Sequence, residues 1–124
     1  MSPAYLFVYG TLRRGSPNRF ARLLAAQARY AGAGRMLGRL YDLGNHPGAV
    51  PSKVQGEWVR GEVFLLKRPP ATLAALDRYE GSEYERKMVR VQLASETHIE
   101  AAAYFLKREP TSGRIRSGEW NKHD

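Results

Sequence analysis

The chain has 124 residues, 43% apolar and 26% charged, which is the size and composition of one ordinary globular domain rather than a disordered segment. It has no cysteine, which excludes disulfide scaffolds, zinc-thiolate sites, iron–sulfur clusters and thiol nucleophiles. The formal net charge of +8 is concentrated in one half: residues 1–60 carry nine basic and two acidic side chains (+7), whereas residues 61–124 carry eleven and ten (+1).

In chain order, residues 5–9 read as a short buried strand stopped by Gly10. That apolar run is too short for a signal-peptide core or a membrane span, and nothing elsewhere approaches about 20 apolar residues in a row, so the expectation is a cytoplasmic chain with no membrane partner. Residues 10–17 form a glycine-bounded loop. Asn18 is placed to cap a helix over 19–29, with Phe20, Leu23, Leu24 and Gln27 on one face. A strand over 33–42, a turn at 44–48, a polar excursion at 51–55 and a strand over 59–66 follow. Pro69 and Pro70 stop that strand and open a helix over 71–79, with Gly81 just past its end. Residues 84–93 and 99–106 read as two strands joined by a short turn. From Glu109 the chain is rich in Gly, Ser and Arg, a surface tail in which Arg114 and Arg116 are solvated. There is no internal repeat. Five or six strands and two short helices without strict βαβ alternation predict an α+β fold with a mixed or antiparallel, closed sheet. The expected organisation is one domain over 1–124, with a core at about 5–106 and a tail over 107–124.

Without Cys, the chemistry must come from carboxylates, histidines or an activated hydroxyl. His46 lies in a Pro/Gly turn, His98 in a hairpin turn and His123 beside the C-terminus; none has metal-ligand spacing, so each reads as a surface histidine and no metal is expected. Glu80 is different. Leu73, Leu76, Asp77 and Glu80 recur at i, i+3, i+4 and i+7, so Glu80 shares a helix face with core leucines and sits in the last turn. Burial and the negative end of the helix dipole would both raise its pKa toward the range useful to a general acid/base. The alternative is that it turns outward to pair with Arg78, Arg86 or Lys87. Tyr9, Gly10, Thr11 and Leu12 form the second candidate: a strand running into a glycine turn presents consecutive N–H groups, a concavity suited to a carboxylate or phosphate, with Arg13 and Arg14 adding attraction. Gly10 and Gly15 have the spacing of a P-loop, but Ser16-Pro17 follows, so it is not one. A plain connecting turn is the competing reading.

Taken as an ordered set, Val8-Tyr-Gly-Thr-Leu-Arg-Arg-Gly15 with Pro17-Asn18, Gly61-Glu-Val-Phe64, and Leu76-Asp-Arg-Tyr-Glu-Gly81 with Tyr84 and Arg86 resembles the γ-glutamylcyclotransferase-like family, in its γ-glutamylamine cyclotransferase and AIG2-like branch. The resemblance runs from about residue 5 to 106 and extends to Ser117-Gly-Glu-Trp120. It implies a small closed β-barrel with a cavity, and cleavage of a γ-glutamyl amine or peptide to 5-oxoproline and a free amine with no cofactor. It further implies that Tyr9, Gly10, Thr11 and Leu12 bind the α-carboxylate and that Glu80 is the catalytic acid/base, with Asp77 and Tyr84 shaping the pocket. Two rival functions remain: a non-catalytic module for small carboxylates on the same fold, and nucleic-acid binding by the basic half. The latter is disfavoured because no zinc-finger, RNP or GxxG pattern accompanies the arginines. Trp58 and Trp120 are expected in core or lid packing rather than at a substrate entrance.

Overall fold

The structure, a computed structural model, describes residues 4–121; His123 lies outside them. In chain order it runs β1 (Tyr5–Val8), α1 (Arg19–Gln27), β2 (Ala28–Asp42), β3 (Pro47–Pro51), β4 (Trp58–Leu66), α2 (Pro69–Glu80), β5 (Tyr84–Leu93), β6 (His98–Leu106) and β7 (Arg114–Ile115). Adjacent strands follow the order β3-β2-β4-β1-β6-β5, and β5 returns to β2, closing β2, β4, β1, β6 and β5 into a five-stranded barrel. All pairings are antiparallel except β1 with β6, where Tyr5 and Leu6 face Ala101 and Ala102 in parallel. The expected α+β class with a closed, mixed sheet is therefore the architecture observed.

Strand alternation divides the core in two. Phe7, Met36, Val59, Val63, Val91 and Phe105, drawn from all five barrel strands, pack together in the interior. Leu6, Val8, Phe64, Ala102 and Leu106 point the other way and meet Leu24 of α1 and Leu76 of α2. On β6 the alternation is carried by alanines, with Ala101 and Ala103 inside and Ala102 outside. Helix α1 is shorter than expected, and its buried face is Ala21 and Leu24; Leu23 is exposed.

Three elements differ from the sequence reading. β2 begins at Ala28 rather than 33, because Arg29 and Tyr30 pair with Leu65 and Phe64 ahead of a bulge before Gly32. The expected turn and polar excursion around Pro47–Pro51 contain β3, whose residues pair with 38–42 of β2. The segment after 106 is anchored: β7 pairs with Leu40 and Tyr41, and Trp120 is buried in the interior cluster. Charged groups fasten this side of the molecule. Arg39 bonds Glu57 at 2.9 Å and Glu109 at 3.1 Å, Arg114 reaches Glu57 at 3.4 Å, and Tyr41 donates to Glu109. No helix among the described residues is long and apolar enough to cross a membrane.

Candidate active site

A cavity of about 460 Å³ opens beside the end of β1, between the loop that follows it, the last turn of α2 and the β2–β3 connection. Its size suits a small ligand. Helix α2 delivers Glu80 there by simple periodicity. Thr72 and Leu76 are buried and seat the helix on the barrel, and Glu80, one turn beyond Leu76, continues the same face where the core gives way to the cavity. Gly81 ends the helix with φ +83°, a conformation that favours glycine, and its N–H bonds the Asp77 carbonyl at 3.2 Å.

The outward alternative for Glu80 is not the observed arrangement. Arg86 pairs instead with Asp77 at 3.2 Å, and Lys87 with Glu85 at 3.0 Å. The Glu80 carboxyl has no hydrogen-bond partner among the described residues, and burial pushes its pKa up to about 7. The same burial, reinforced by the nearby Glu80 charge, holds the Tyr9 and Tyr84 phenols well above their ordinary range. A half-buried carboxyl near neutrality, with two phenols that stay protonated, can exchange a proton with a bound ligand.

Across the cavity, Gly10 starts a tight turn in which the Arg13 amide bonds the Gly10 carbonyl at 3.1 Å. A side chain at Gly10 would meet Pro47 Cγ at 2.6 Å, so only glycine lets the loop lie this close to β3. The Thr11 and Leu12 amides donate to no acceptor among the described residues. Thr11 Oγ1 lies 2.8 Å from the Tyr79 hydroxyl. Tyr9 is placed at the cavity, but its hydroxyl is committed elsewhere, donating to the Tyr104 carbonyl at 2.7 Å and accepting from the Ala49 amide at 3.1 Å. It offers the cavity a ring face and locks β1 to β3 and β6. Tyr84 likewise donates to the Pro47 carbonyl at 2.8 Å, and Tyr104 donates to Asp77 at 2.5 Å. These tyrosines tie the cavity walls together; Asp77, expected to shape the pocket, is not among the lining residues, and Glu80 is left unbonded among the described residues.

The expected recruiting arginines do other work. Arg13 donates to the carbonyls of Gly10 and Trp120, and Arg14 pairs with Glu62 and stacks on the Tyr30 ring. Conversely, His46, read as a surface residue, lines the cavity 6.5 Å from the Tyr84 ring, with Nδ1 2.8 Å from Asn45 Oδ1. Tyr79 and Asn18 also line it. Nothing local marks His46 as a cavity residue, because only the β2–β3 hairpin brings it there; Tyr79 could have been noticed as the neighbour of Glu80. Among the described residues, no group of three metal-ligating side chains comes together.

A small closed barrel with a half-buried carboxyl that makes no hydrogen bond among the described residues, facing a glycine turn at its rim, is the arrangement these elements produce. The family model for γ-glutamyl cyclotransferase, AIG2-like proteins matches residues 6–122, and the chain belongs to that family. It is 32% identical to the γ-glutamylcyclotransferase family protein YtfP of Escherichia coli strain K12 over 130 residues, spanning 96% of this chain and 97% of that protein. An AIG2-like protein from Mus musculus superposes with a TM-score of 0.79 at 25% identity, covering 98% of this chain and 90% of that one. YkqA from Bacillus subtilis superposes at 0.75 with 28% identity, covering 96% of this chain and 40% of that longer chain.

Proposed function

We propose that this protein is a γ-glutamyl cyclotransferase, converting a γ-glutamyl amine or γ-glutamyl peptide into 5-oxoproline and a free amine. The observation that carries the reading is Glu80: a carboxyl raised to about 7 by burial, unbonded, in one cavity with the turn at Thr11 and Leu12. Family membership and the likeness to YtfP support it.

In this reading the substrate α-carboxylate accepts hydrogen bonds from the Thr11 and Leu12 amides, which places the α-ammonium toward Glu80. Ionised Glu80 takes a proton from that ammonium, and the freed amine attacks the γ-carbonyl carbon. Five-membered ring formation needs only that the γ-glutamyl arm be held folded, the service that a shaped cavity provides to an intramolecular reaction. The tetrahedral intermediate collapses by breaking the bond to the leaving nitrogen, to which Glu80 returns the proton. Two protons in all leave the attacking nitrogen and two reach the departing one, so Glu80 ends as it began. The substrate's own amine is the nucleophile, which fits a chain without cysteine.

The test is to incubate the protein with γ-glutamyl amines, γ-glutamyl dipeptides and γ-glutamyl-ε-lysine and follow 5-oxoproline by mass spectrometry. Release is expected from at least one, and Glu80→Gln should lower kcat by about 10²–10⁴-fold, the usual contribution of a general acid/base. Unchanged turnover in that variant would remove Glu80 from the reaction.

A further inference from the structure

Asn18, Tyr79 and Thr11 form a hydrogen-bonded line whose direction is set at its far end. As the N-cap of α1, the Asn18 side-chain oxygen accepts the amides of Phe20 at 2.7 Å and Ala21 at 3.4 Å. This orients the amide group, because its oxygen is occupied by backbone donors and its nitrogen must face the other way. That nitrogen lies 2.5 Å from the Tyr79 hydroxyl and can only donate. The Tyr79 oxygen is therefore an acceptor on this side; between it and its other neighbour, Thr11 Oγ1, 2.8 Å away, either hydroxyl can donate, and Tyr79 has its single proton free to give to Thr11. When Tyr79 is the donor, Thr11 keeps its own hydroxyl proton for the cavity that both residues line. Besides these bonds, the Tyr79 ring is held by packing against Phe20, with centroids 4.5 Å apart and the planes tilted by 34°.

We propose that Tyr79 is a positioning residue that, through this line from the α1 cap, makes the Thr11 hydroxyl a hydrogen-bond donor aimed into the cavity at an anionic group of the ligand, a carboxylate. The identity of that ligand rests on the proposed function; the direction of the line does not. Tyr79 touches no reacting atom in this scheme. It matters because a threonine hydroxyl left to rotate can present either its proton or its lone pairs. A cavity that must hold a carboxylate gains from a proton already pointed at it.

The test measures L-5-oxoproline binding by calorimetry alongside steady-state kinetics on γ-glutamyl amines. Tyr79→Phe keeps the ring contact with Phe20 and removes only the hydroxyl. It is expected to raise KM and the 5-oxoproline Kd about tenfold while kcat stays within about twofold, as for loss of one oriented bond to a charged group. Thr11→Val should do the same, and the double variant should be no worse than Thr11→Val alone, because the two substitutions break one line. Thr11→Ser, which keeps the hydroxyl, should retain wild-type binding. Unchanged KM and Kd in Tyr79→Phe, effects that multiply in the double variant, or a loss confined to kcat would each overturn the proposal. Should Tyr79→Phe melt the protein, Asn18→Ser tests the line from its other end: serine can still cap the helix but lacks the amide donor, and unaltered Kd there overturns the proposal too. Wild-type binding of 5-oxoproline without its release from any γ-glutamyl compound would sink the proposed function, while the same Kd series still decides Tyr79. If wild type turns over γ-glutamyl amines without measurable 5-oxoproline binding, the KM series decides Tyr79 by the same criteria.

Discussion

Glu80 favours the fold most when it is protonated. Its carboxyl titrates near 7 in the folded chain, against about 4.3 for an unfolded glutamate. Between those values the folded state holds a proton that the unfolded state has released, so stability falls as pH rises through the window, and the loss is complete above about 7. Activity runs the other way: a base must be ionised, so kcat/KM should climb with pH and level off above about 7. Glu80→Gln keeps the shape without the charge. Its melting temperature is expected to exceed that of wild type at pH 8 and to match it near pH 4, as thermal denaturation at the two pH values will show. An equal difference at both would mean that Glu80 is not destabilised by its ionisation. The helical period of Leu73, Leu76, Asp77 and Glu80 was visible in the chain, and so was the choice between a cavity-facing and an outward Glu80. The choice itself was not, since it depended on Asp77 taking Arg86 and on Glu85 taking Lys87.

At the scale of elements, the last segment contributes most beyond its length. β7 is two residues long, yet the chain after it buries Trp120 to 4% exposure among barrel residues. Arg13 donates to the Trp120 carbonyl and to that of Gly10, so this segment and the cavity loop share a clasp. Trp120→Ala should cost about 3–5 kcal/mol, the usual penalty for emptying a buried tryptophan site, read as a lower urea midpoint with an unchanged slope. A loss under about 1 kcal/mol, the range of an exposed substitution, would mean that Trp120 is not part of the core. Neither β3 nor β7 was legible locally. Pro47-Gly-Ala-Val-Pro51 reads as a breaker-rich turn, and it is extended only because 38–42 of β2 offers a pairing edge that its hairpin register meets. Arg114-Ile115 is too short to carry a period at all. By contrast α2, bracketed by two prolines and a glycine, was marked at both ends by residues whose backbone geometry permits little else.

For the molecule as a whole, barrel closure is unequal around the ring. β5 pairs with β6 through nine residue pairs from Tyr84↔Leu106 to Gln92↔His98, but with β2 only through Gly34↔Leu93 and Arg35↔Gln92. The β1–β6 seam is equally short, Tyr5↔Ala101 and Leu6↔Ala102, so these two seams are the places where the barrel should open first, and amide exchange in β5 is expected to outpace that in β4, which is paired along its length with β1 and β2. Equal protection of β5 and β4 by hydrogen-exchange mass spectrometry would contradict this. The charge also looks different once folded. The net charge stays +8, but Arg13, Arg14, Arg35 and Arg39 each hold an internal partner, so four of the arginines that drew attention to nucleic acid are held by the molecule's own contacts.

The sequence by itself determined the class of fold, the two helices, most barrel strands and the pair of candidate site segments. These follow from local periods of two and 3.6 residues and from glycine and proline, whose constraints act within a few bonds. Only the tertiary structure decided that β5 closes onto β2 and that Pro47–Pro51 is a strand. It alone placed His46 and Tyr79 in the cavity and left Glu80 unbonded inside it. Each of those outcomes is a competition between partners far apart in the chain, settled by packing and desolvation rather than by any neighbour in sequence.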